Sequence, residues 1–282
     1  MRGMFERMRS GWKLTKKAWG VVRANKGLAK LPLTGGALAL LVSLILILPG
    51  MALLGSEESS LVGVGIGLVA LGAYLAAFVV IYYNVILAAA ANEALQDRTP
   101  DMSAARAVAR ARIPVIAGWA LISALVSLFF SILRDRGGIA GQLAAGIGAA
   151  IWGLVTFLVV PVIALEGVGP IAAVKRSGQL VKERWGQQIT GNLVIGGIAT
   201  LVMIVGAAMG IGGVFLVASG STLGLAGGAV LAIAGLVIVV GAAVFSGATR
   251  GVFGVALYHY VTEDKAVGPF TVDELASTAR AK

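Results

Sequence analysis

The chain has 282 residues, no cysteine and a formal net charge of +10. Its hydrophobic fraction is 58% and its charged fraction 13%, whereas soluble domains are about 45–50% apolar and about 25% charged. This composition excludes a single water-soluble core, disulfide bonds and cysteine metal sites, and it predicts an integral membrane protein.

The N-terminal segment, residues 1–32, is strongly basic. It holds nine Lys and Arg residues against the single acid Glu6. Large apolar residues recur at spacings of three, four or seven, which places them on one helical face, whereas Lys13, Lys16 and Lys17 lie around the other side. We expect a cytoplasmic amphipathic helix at the headgroup boundary; the alternative is a solvated tail that only sets topology. The apolar face contains Phe5, Met8, Trp12, Trp19 and Val22.

Six apolar stretches follow, and most exceed the roughly 20 residues that cross a bilayer. They predict an all-α, polytopic membrane helical bundle of six transmembrane helices over residues 33–262, followed by a short cytoplasmic C-terminal helix in 263–282. The first stretch is too long for a cleavable signal peptide. The stretches are 31–54, 61–95, 113–133, 139–165, 191–218 and 223–261.

Two basic elbows, 96–112 and 169–190, separate these stretches. In the first, Thr99 is expected to cap a helix that begins at Pro100, with Arg106 and Arg110 on one face. The second is expected to form another interfacial amphipathic helix. Its apolar face contains Ile171, Val174, Val181 and Trp185, and its polar face contains Lys175, Gln179 and Lys182.

A third elbow surrounds Pro269. Thr271 and Glu274 have the spacing of a capping box, and Phe270 and Leu275 that of a hydrophobic staple. The recurring order of interfacial helix, span, long span and proline elbow indicates a pseudo-threefold repeat.

Pairs of glycines four residues apart predict close contacts between membrane helices. They occur at Gly63/Gly67, Gly206/Gly210, Gly224/Gly228 and Gly247/Gly251. The glycine-rich run 63–67 lacks the strand–turn–helix setting of a nucleotide-binding loop, so we interpret it as a packing surface.

The distribution of basic residues predicts the orientation. The N-terminus, both basic elbows and the C-terminus hold nearly all of them, while the other loops hold only Arg134 and Arg136. The positive-inside rule then places both termini in the cytoplasm.

Several short motifs support a family resemblance. They are Ser10-x-Trp12 with Trp19, Phe157-x-Val159-Val160-Pro161, Glu166-Gly-x-Gly-Pro170, Lys175-Arg176-Ser177, Trp185-Gly186 and Gly191-Asn192. At these residues the chain resembles an uncharacterised prokaryotic six-span membrane family, a domain of unknown function. It is more distantly similar to the membrane domain attached to some glycerophosphodiester phosphodiesterases, without their catalytic domain. The resemblance implies the six-span fold and the prokaryotic plasma (inner) membrane, and it transfers no activity.

The sequence offers little for catalysis. His259 is the only histidine, whereas zinc sites need several His, Cys or acidic ligands, so no metal or other cofactor is expected. Between Tyr258 and Tyr260 it is best interpreted as an interfacial aromatic anchor. No Ser–His–Asp or Cys–His arrangement can be assembled, and we predict that the protein is not an enzyme.

Four residues are candidates for a lipid-phosphate or pathway site: Arg250, Asn84, Glu166 and Asn192. Arg250 lies deep in a long apolar helix, where charge is costly and often functional. It could bind a lipid phosphate, pair with Glu166 or Glu93, or line a substrate pathway. For Glu166 the alternative is a solvated or paired acid, and for each asparagine a hydrogen bond between helices.

Two hypotheses on function remain. The first is a non-enzymatic membrane-organising or partner-binding protein, whose basic segments lie on the anionic inner leaflet and whose partners are lipids, another protein or a second copy, and not nucleic acid. The second is a transporter or lipid-handling protein with an inward-facing cavity. In the first hypothesis, the basic residues at the interface are Lys13, Lys16, Lys17, Arg106, Arg110, Lys175 and Lys182.

Overall fold

The computed structural model describes residues 2–185, 193–219 and 221–279, and the side chains of 11–183, 202–219, 221 and 224–276. All regular structure in these residues is helical. The helices are α1 (Arg2–Ala24), α2 (Lys26–Leu53), α3 (Ser59–Leu95), α4 (Met102–Ala111), α5 (Ile113–Arg136), α6 (Gly138–Leu165), α7 (Pro170–Trp185), α8 (Leu193–Ala218), α9 (Thr222–Glu263) and α10 (Val272–Ala279).

Within the described residues, five helices are long and apolar enough to cross a membrane: α2, α3, α5, α6 and α9. This confirms a helical, multi-pass membrane protein. The predicted fifth stretch, 191–218, starts outside the described residues. Helix α8 occupies Leu193–Ala218, and its part with described side chains, Val202–Ala218, counts as a shorter apolar helix.

The long helices form three antiparallel hairpins, α2–α3, α5–α6 and α8–α9. In the first, a Cβ on Gly65 would lie 2.7 Å from the carbonyl oxygen of Gly50, so the backbones touch. The predicted contact through Gly63 and Gly67 is wrong: a Cβ on either would have no neighbour within 4 Å. The side of α3 that packs on α2 is therefore the one that carries Gly65, and not the one that carries Gly63 and Gly67.

The other glycine pairs have mixed outcomes. In the α8–α9 hairpin, the predicted contact surface is confirmed at Gly206, whose added Cβ would lie 3.0 Å from the carbonyl oxygen of Gly235. A Cβ on Gly228 would lie 2.6 Å from the carbonyl oxygen of Gly213. Gly247 and Gly251 contact two different helices, through Pro32 of α2 and Leu87 of α3.

Burial is concentrated at one end of the molecule, which we call the base. The base comprises 81–95 of α3, 248–261 of α9 and 158–165 of α6, together with α1, α4, α7 and the first two turns of α5 and α10. Rings next to the base extend its packing: Trp19 of α1 lies 4.9 Å from Phe245 of α9, and Phe253 lies 6.2 Å from Phe270, which precedes α10, between ring centroids.

The opposite ends of the three hairpins, which we call the tips, have the reverse character. They comprise 38–71, 121–151 and 202–240. Large apolar side chains point outward along each of them: Leu48 is 61% exposed, Phe129 61% and Val237 64%. Such a surface needs an apolar solvent.

The protein-facing side of α1 matches the predicted apolar face at Trp19 and Val22 but not at Trp12. Leu14, Ala18 and Val22 are buried, while Trp12 is 43% exposed with the Lys16 Nζ atom 5.6 Å from its ring centroid. The side chains of Phe5 and Met8 lie outside the described set. Spacing alone therefore identified an apolar face without showing which apolar residues pack on protein.

Helix α7 shows the same kind of rotation. Its buried face consists of Ala173, Ser177, Leu180 and Val181, whereas Ile171 is 63% exposed. Of the predicted apolar face, Val181 packs on the protein and Ile171 does not, so the prediction that these residues face the membrane boundary stays a prediction. The side chain of Trp185 is not among those described.

The helix caps correct one prediction and confirm another. Asp101, not Thr99, caps α4, since its carboxylate accepts from the backbone N–H of Ser103 at 2.7 Å. The capping box of α10 is present: the Thr271 N–H donates to Glu274 at 3.0 Å, and the Glu274 N–H donates to the Thr271 hydroxyl at 3.3 Å.

Candidate functional site

Helix α6 is interrupted over residues 156–158, and a side chain from α7 repairs the break. Pro161 lacks the N–H that would continue the hydrogen-bond ladder across this point. The Ser177 hydroxyl accepts from the Leu158 N–H at 3.2 Å and donates to the Val155 carbonyl at 2.5 Å. Because Ser177 is fully buried, these bonds replace water as the partner of the backbone.

Glu166 lies at the junction of α6 and α7 and connects three helices. Its Oε1 atom accepts from the Tyr258 hydroxyl of α9 at 3.0 Å and from Arg176 Nε of α7 at 3.2 Å. The side chains of Arg176 and Glu166 are 41% and 23% exposed, so the pair lies at the edge of the base. This carboxylate is therefore a structural acceptor and not an unpaired base.

The next residue, Gly167, ends α6 in the left-handed region, with φ of 69°, as glycine commonly does at a helix C-terminus. A second constraint also requires glycine. The Arg112 guanidinium group occupies the space that a Cβ on Gly167 would take, with Nη1 2.6 Å from that position. Just before α7 begins, the chain therefore has room for the Arg112 side chain and for no side chain of its own.

The 167–170 turn also contacts α5 at a second point, Gly118. The Pro170 Cγ atom lies 2.9 Å from the position of a Cβ on Gly118. Arg112 directly precedes α5 and Gly118 lies in its second turn, so the 167–170 segment lies against the first two turns of α5. The motif Glu166-Gly-x-Gly-Pro170 thus encodes a turn fixed by contacts from α5, α7 and α9.

His259 is not the interfacial anchor that the sequence predicted. It is 7% exposed; its Nε2 atom lies 2.6 Å from Asn92 Oδ1 of α3, and its Nδ1 atom lies 2.9 Å from Glu263 Oε1. Both ring nitrogens are occupied, so the ring connects α9 to α3. Its neighbour Tyr258 connects α9 to the α6–α7 turn.

The structure separates the four predicted site residues. Glu166 is bonded as described, so it does not pair with Arg250, and Glu93 instead accepts from the Asp101 N–H at 2.7 Å. Arg250 is exposed and Asn84 is partly buried, and neither forms a hydrogen bond or ion pair with the described residues. Asn192 lies outside the described residues. Of the three alternatives for Arg250, pairing with Glu166 or Glu93 is therefore not present, and the other two stay predictions.

The predicted interfacial basic residues are exposed, with one exception. Lys17 is the exception: its Nζ atom lies 2.6 Å from Glu274 and joins α1 to α10. The remaining six are Lys13, Lys16, Arg106, Arg110, Lys175 and Lys182.

The ion pair between Lys17 and Glu274 affects the titration of the acid. The hydrogen bond from Lys17 lowers the pKa of the Glu274 carboxyl below its ordinary value. The Thr271 N–H and hydroxyl act in the same direction, whereas partial burial acts against them. The sequence showed the capping box but gave no sign of Lys17, 257 residues away in the chain.

The chemistry available here is hydrogen bonding and charge pairing. No group of three or more His, Asp or Glu residues that could hold a metal ion occurs among the described residues. Sequence analysis missed Tyr258 and Asn92 as hydrogen-bond partners and Arg112 as a contact of the Gly167 turn. The Glu-Gly-x-Gly-Pro motif indicated a turn, but nothing in the sequence pointed to Arg112, since basic residues next to a span are common on the cytoplasmic side.

A model for a family of unknown function, DUF6159, matches residues 64–268, which include the Glu166 network and the 167–170 turn. A search among curated proteins gives no match, so the similarity to glycerophosphodiester phosphodiesterases stays a prediction. Because the matched segment covers well over half of the sequence, the chain belongs to the DUF6159 family of unknown function.

Proposed function

We propose that this protein is a non-enzymatic, membrane-organising or partner-binding component of the prokaryotic plasma membrane, with six spans and both termini in the cytoplasm. The observation that carries the proposal is the separation of base and tips. The tips expose apolar side chains on all three hairpins, whereas the base exposes lysine and arginine around a filled core. This is the arrangement of a hydrocarbon-spanning part joined to a part at the anionic leaflet.

Helix lengths support this placement. Helix α3 has 37 residues and α9 has 42, so at 1.5 Å per residue they are about 55 and about 63 Å long. The hydrocarbon core is about 30 Å thick. The tips account for about 20 Å of α3 and about 28 Å of α9, so the hydrocarbon core also takes in the residues between tips and base, and the base then extends through the headgroups into the cytoplasm.

The sixth span of the proposal is α8, which has 26 residues and packs against α9 through glycine contacts. A helix of this length suffices for one crossing. With α8 counted, the number of spans is even, and α1 and α10 are on one side, as their ion pair requires.

The repeat is supported by two of the three elbows. Helix α3 ends at Leu95, with Asp97 at positive φ and Pro100 three residues later; α6 ends at Leu165, with Gly167 at positive φ and Pro170 three residues later. The third elbow has positive φ at Asp264 and its proline five residues on. The pseudo-threefold build therefore belongs to the proposal, with the third unit divergent.

A transporter would need its polar candidates to face one cavity. Glu166 instead bonds to Tyr258, which lies eight residues, or about 12 Å along the axis, from Arg250. The base is also filled by buried apolar side chains of α3, α6 and α9. These observations favour the first hypothesis over an inward-facing cavity.

Single-cysteine labelling tests the topology without background, because the chain has no cysteine. Cysteines replacing Lys16, Lys182 and Ser59 are introduced one at a time into the full chain and treated with a membrane-impermeant maleimide in intact cells. We expect labelling at position 59 only, and labelling at 16 and 182 after the cells are opened. Labelling of 59 and 16 from the same side would refute the proposal.

Trypsin protection of α1 tests its membrane contact. In vesicles with about 30% phosphatidylglycerol, cleavage at exposed Lys13 and Lys16 is expected to be slower than in phosphatidylcholine vesicles, and about 1 M salt should abolish the difference because it screens surface charge. Equal cleavage in both vesicles would show that α1 does not lie on an anionic leaflet.

A further inference from the structure

We propose that Arg112, held on the Gly167 turn, binds the phosphate group of an anionic phospholipid. This inference deepens the proposed function, on which its placement at the headgroup level rests. It names one lipid site at a defined position, in addition to the collective attraction of the exposed basic residues.

The first observation is an unpaired charge. Arg112 forms no ion pair or hydrogen bond with the described residues, and its Nε atom is sealed from solvent without a partner. The carboxylate beside Gly167, Glu166, already accepts from Arg176 and Tyr258 through Oε1. The positive charges of Arg112 and Arg176 and the negative charge of Glu166 therefore give this turn a net charge of plus one.

The second observation is that the guanidinium group is positioned by the fold. It fills the space beside Gly167 that any side chain there would occupy, and the turn itself is fixed against α5 at Gly118. Since Nε alone is sealed, Nη1 and Nη2 are the donors open to a ligand. A guanidinium group with paired donors matches two oxygens of a phosphate.

The third observation is the apolar surface that begins beside it. Along α5, Ile113, Leu121 and Leu125 are 42%, 51% and 57% exposed and, at spacings of eight and four, share one face. Ile171, next to the proline that touches α5, is 63% exposed. A cation at the start of an outward apolar stripe suits a phosphate with acyl chains, whereas a soluble phosphate would gain nothing from the stripe.

Lipid titration of the purified full-length protein in detergent, followed by native mass spectrometry, tests the site. Phosphatidylglycerol is the probe, and phosphatidylcholine the zwitterionic comparison. Arg112→Gln should weaken the tightest phosphatidylglycerol adduct by on the order of tenfold, the size expected for a lost charge-assisted pair. Arg110→Gln is the matched control, since Arg110 is exposed on α4 two residues away, and it should change binding by less than about twofold.

Further variants keep the result interpretable if Arg112→Gln unfolds. Arg112→Lys keeps the charge but loses the paired donors, so it should bind more weakly than the wild type. Gly167→Ala keeps every charge but displaces the guanidinium group, and it should lose the same adduct. Wild-type binding by Arg112→Lys and Gly167→Ala, or equal losses in Arg112→Gln and Arg110→Gln, would overturn the proposal.

Two comparisons distinguish a lipid site from a site for soluble phosphate, and the failure of this proposal from the failure of the proposed topology. If millimolar inorganic phosphate displaced the lipid and raised the melting temperature as much as phosphatidylglycerol does, the site would take soluble phosphate and the lipid proposal would be wrong. The titration is done in detergent, so it does not depend on topology. A failed labelling experiment with an Arg112-dependent adduct would refute the proposed orientation alone, whereas correct labelling without the adduct would refute this site alone.

Discussion

The base and the tips are built from the same helices but are stabilised differently. In the base, α3 buries Val85, Leu87 and Leu95 against α9 and the elbows. In the tips, the same helix exposes Val64, Ile66 and Leu71, and its contacts are made by Gly65 against the backbone of α2. Side chains fill the base, whereas backbone contact holds each hairpin at its tip.

The difference follows from the solvent at each end. Apolar burial stabilises the base if water surrounds it, since removing apolar area from water is favourable. In hydrocarbon that driving force is absent, and small residues let helices approach for dispersion and weak hydrogen bonds. The comparison predicts that large-to-small changes damage the base, while small-to-large changes damage the tips.

The largest effect is expected for Leu87→Ala in the base. Leu87 is fully buried and its Cγ atom lies 2.9 Å from the position of a Cβ on Gly251. Removing it should cost about 2–5 kcal/mol through lost contacts and a cavity, measured by denaturant or thermal unfolding in detergent. The control is Leu125→Ala in a tip, 57% exposed, which should lie within about 0.5 kcal/mol of the wild type. Equal losses would erase the distinction between the two regions.

A smaller loss of stability is expected for Gly65→Ala, a small-to-large substitution in a tip. The added methyl group would meet the Gly50 carbonyl oxygen at 2.7 Å, so the α2–α3 hairpin must separate, at a cost of about 1–3 kcal/mol. Gly67→Ala is the matched control two residues away, because its Cβ would meet nothing within 4 Å. Unfolding of both variants in the same detergent compares them; a Gly67→Ala loss as large as that of Gly65→Ala would contradict the hairpin register.

The smallest effect is expected for the Lys17–Glu274 pair, which joins α1 to α10 at the rim of the base. Both side chains are 32% exposed, so the pair should contribute only about 0.2–1 kcal/mol. Glu274→Gln should lower the melting temperature slightly at pH 7, and Asp273→Asn, on the same helix, serves as the charge control.

The pH dependence of this effect has a definite sign. The pKa of Glu274 is lowered in the folded protein, so the stabilisation is present above the ordinary pKa of the acid, near 4.5, and is lost as the pH falls through the folded-state pKa. The difference between wild type and Glu274→Gln should therefore disappear in acid. A difference that grew on acidification would show that the pair does not stabilise the fold.

Much of the elbow chemistry could be predicted because it is local. The capping box at Thr271 and Glu274 depends on residues three apart, and it is present as expected. The α4 cap failed for a local reason as well: the helix begins at Met102 and not at Pro100, so its first free N–H groups, those of Ser103 and Ala104, face Asp101. The Glu166 site could not be predicted, because Tyr258, which bonds to Glu166, and Arg112, which contacts Gly167, come from helices distant in the chain.

The sequence by itself determined the helical, membrane-spanning character of the chain, because hydrocarbon solvent requires long apolar helices whatever their neighbours. It also determined which segments are basic. Only the tertiary structure decided the contact faces: Gly65 instead of Gly63 and Gly67, Leu14 instead of Trp12, and a buried His259. In helices that are apolar almost all round, composition fixes the length and the solvent, but the rotation about the axis depends on where neighbouring backbones approach.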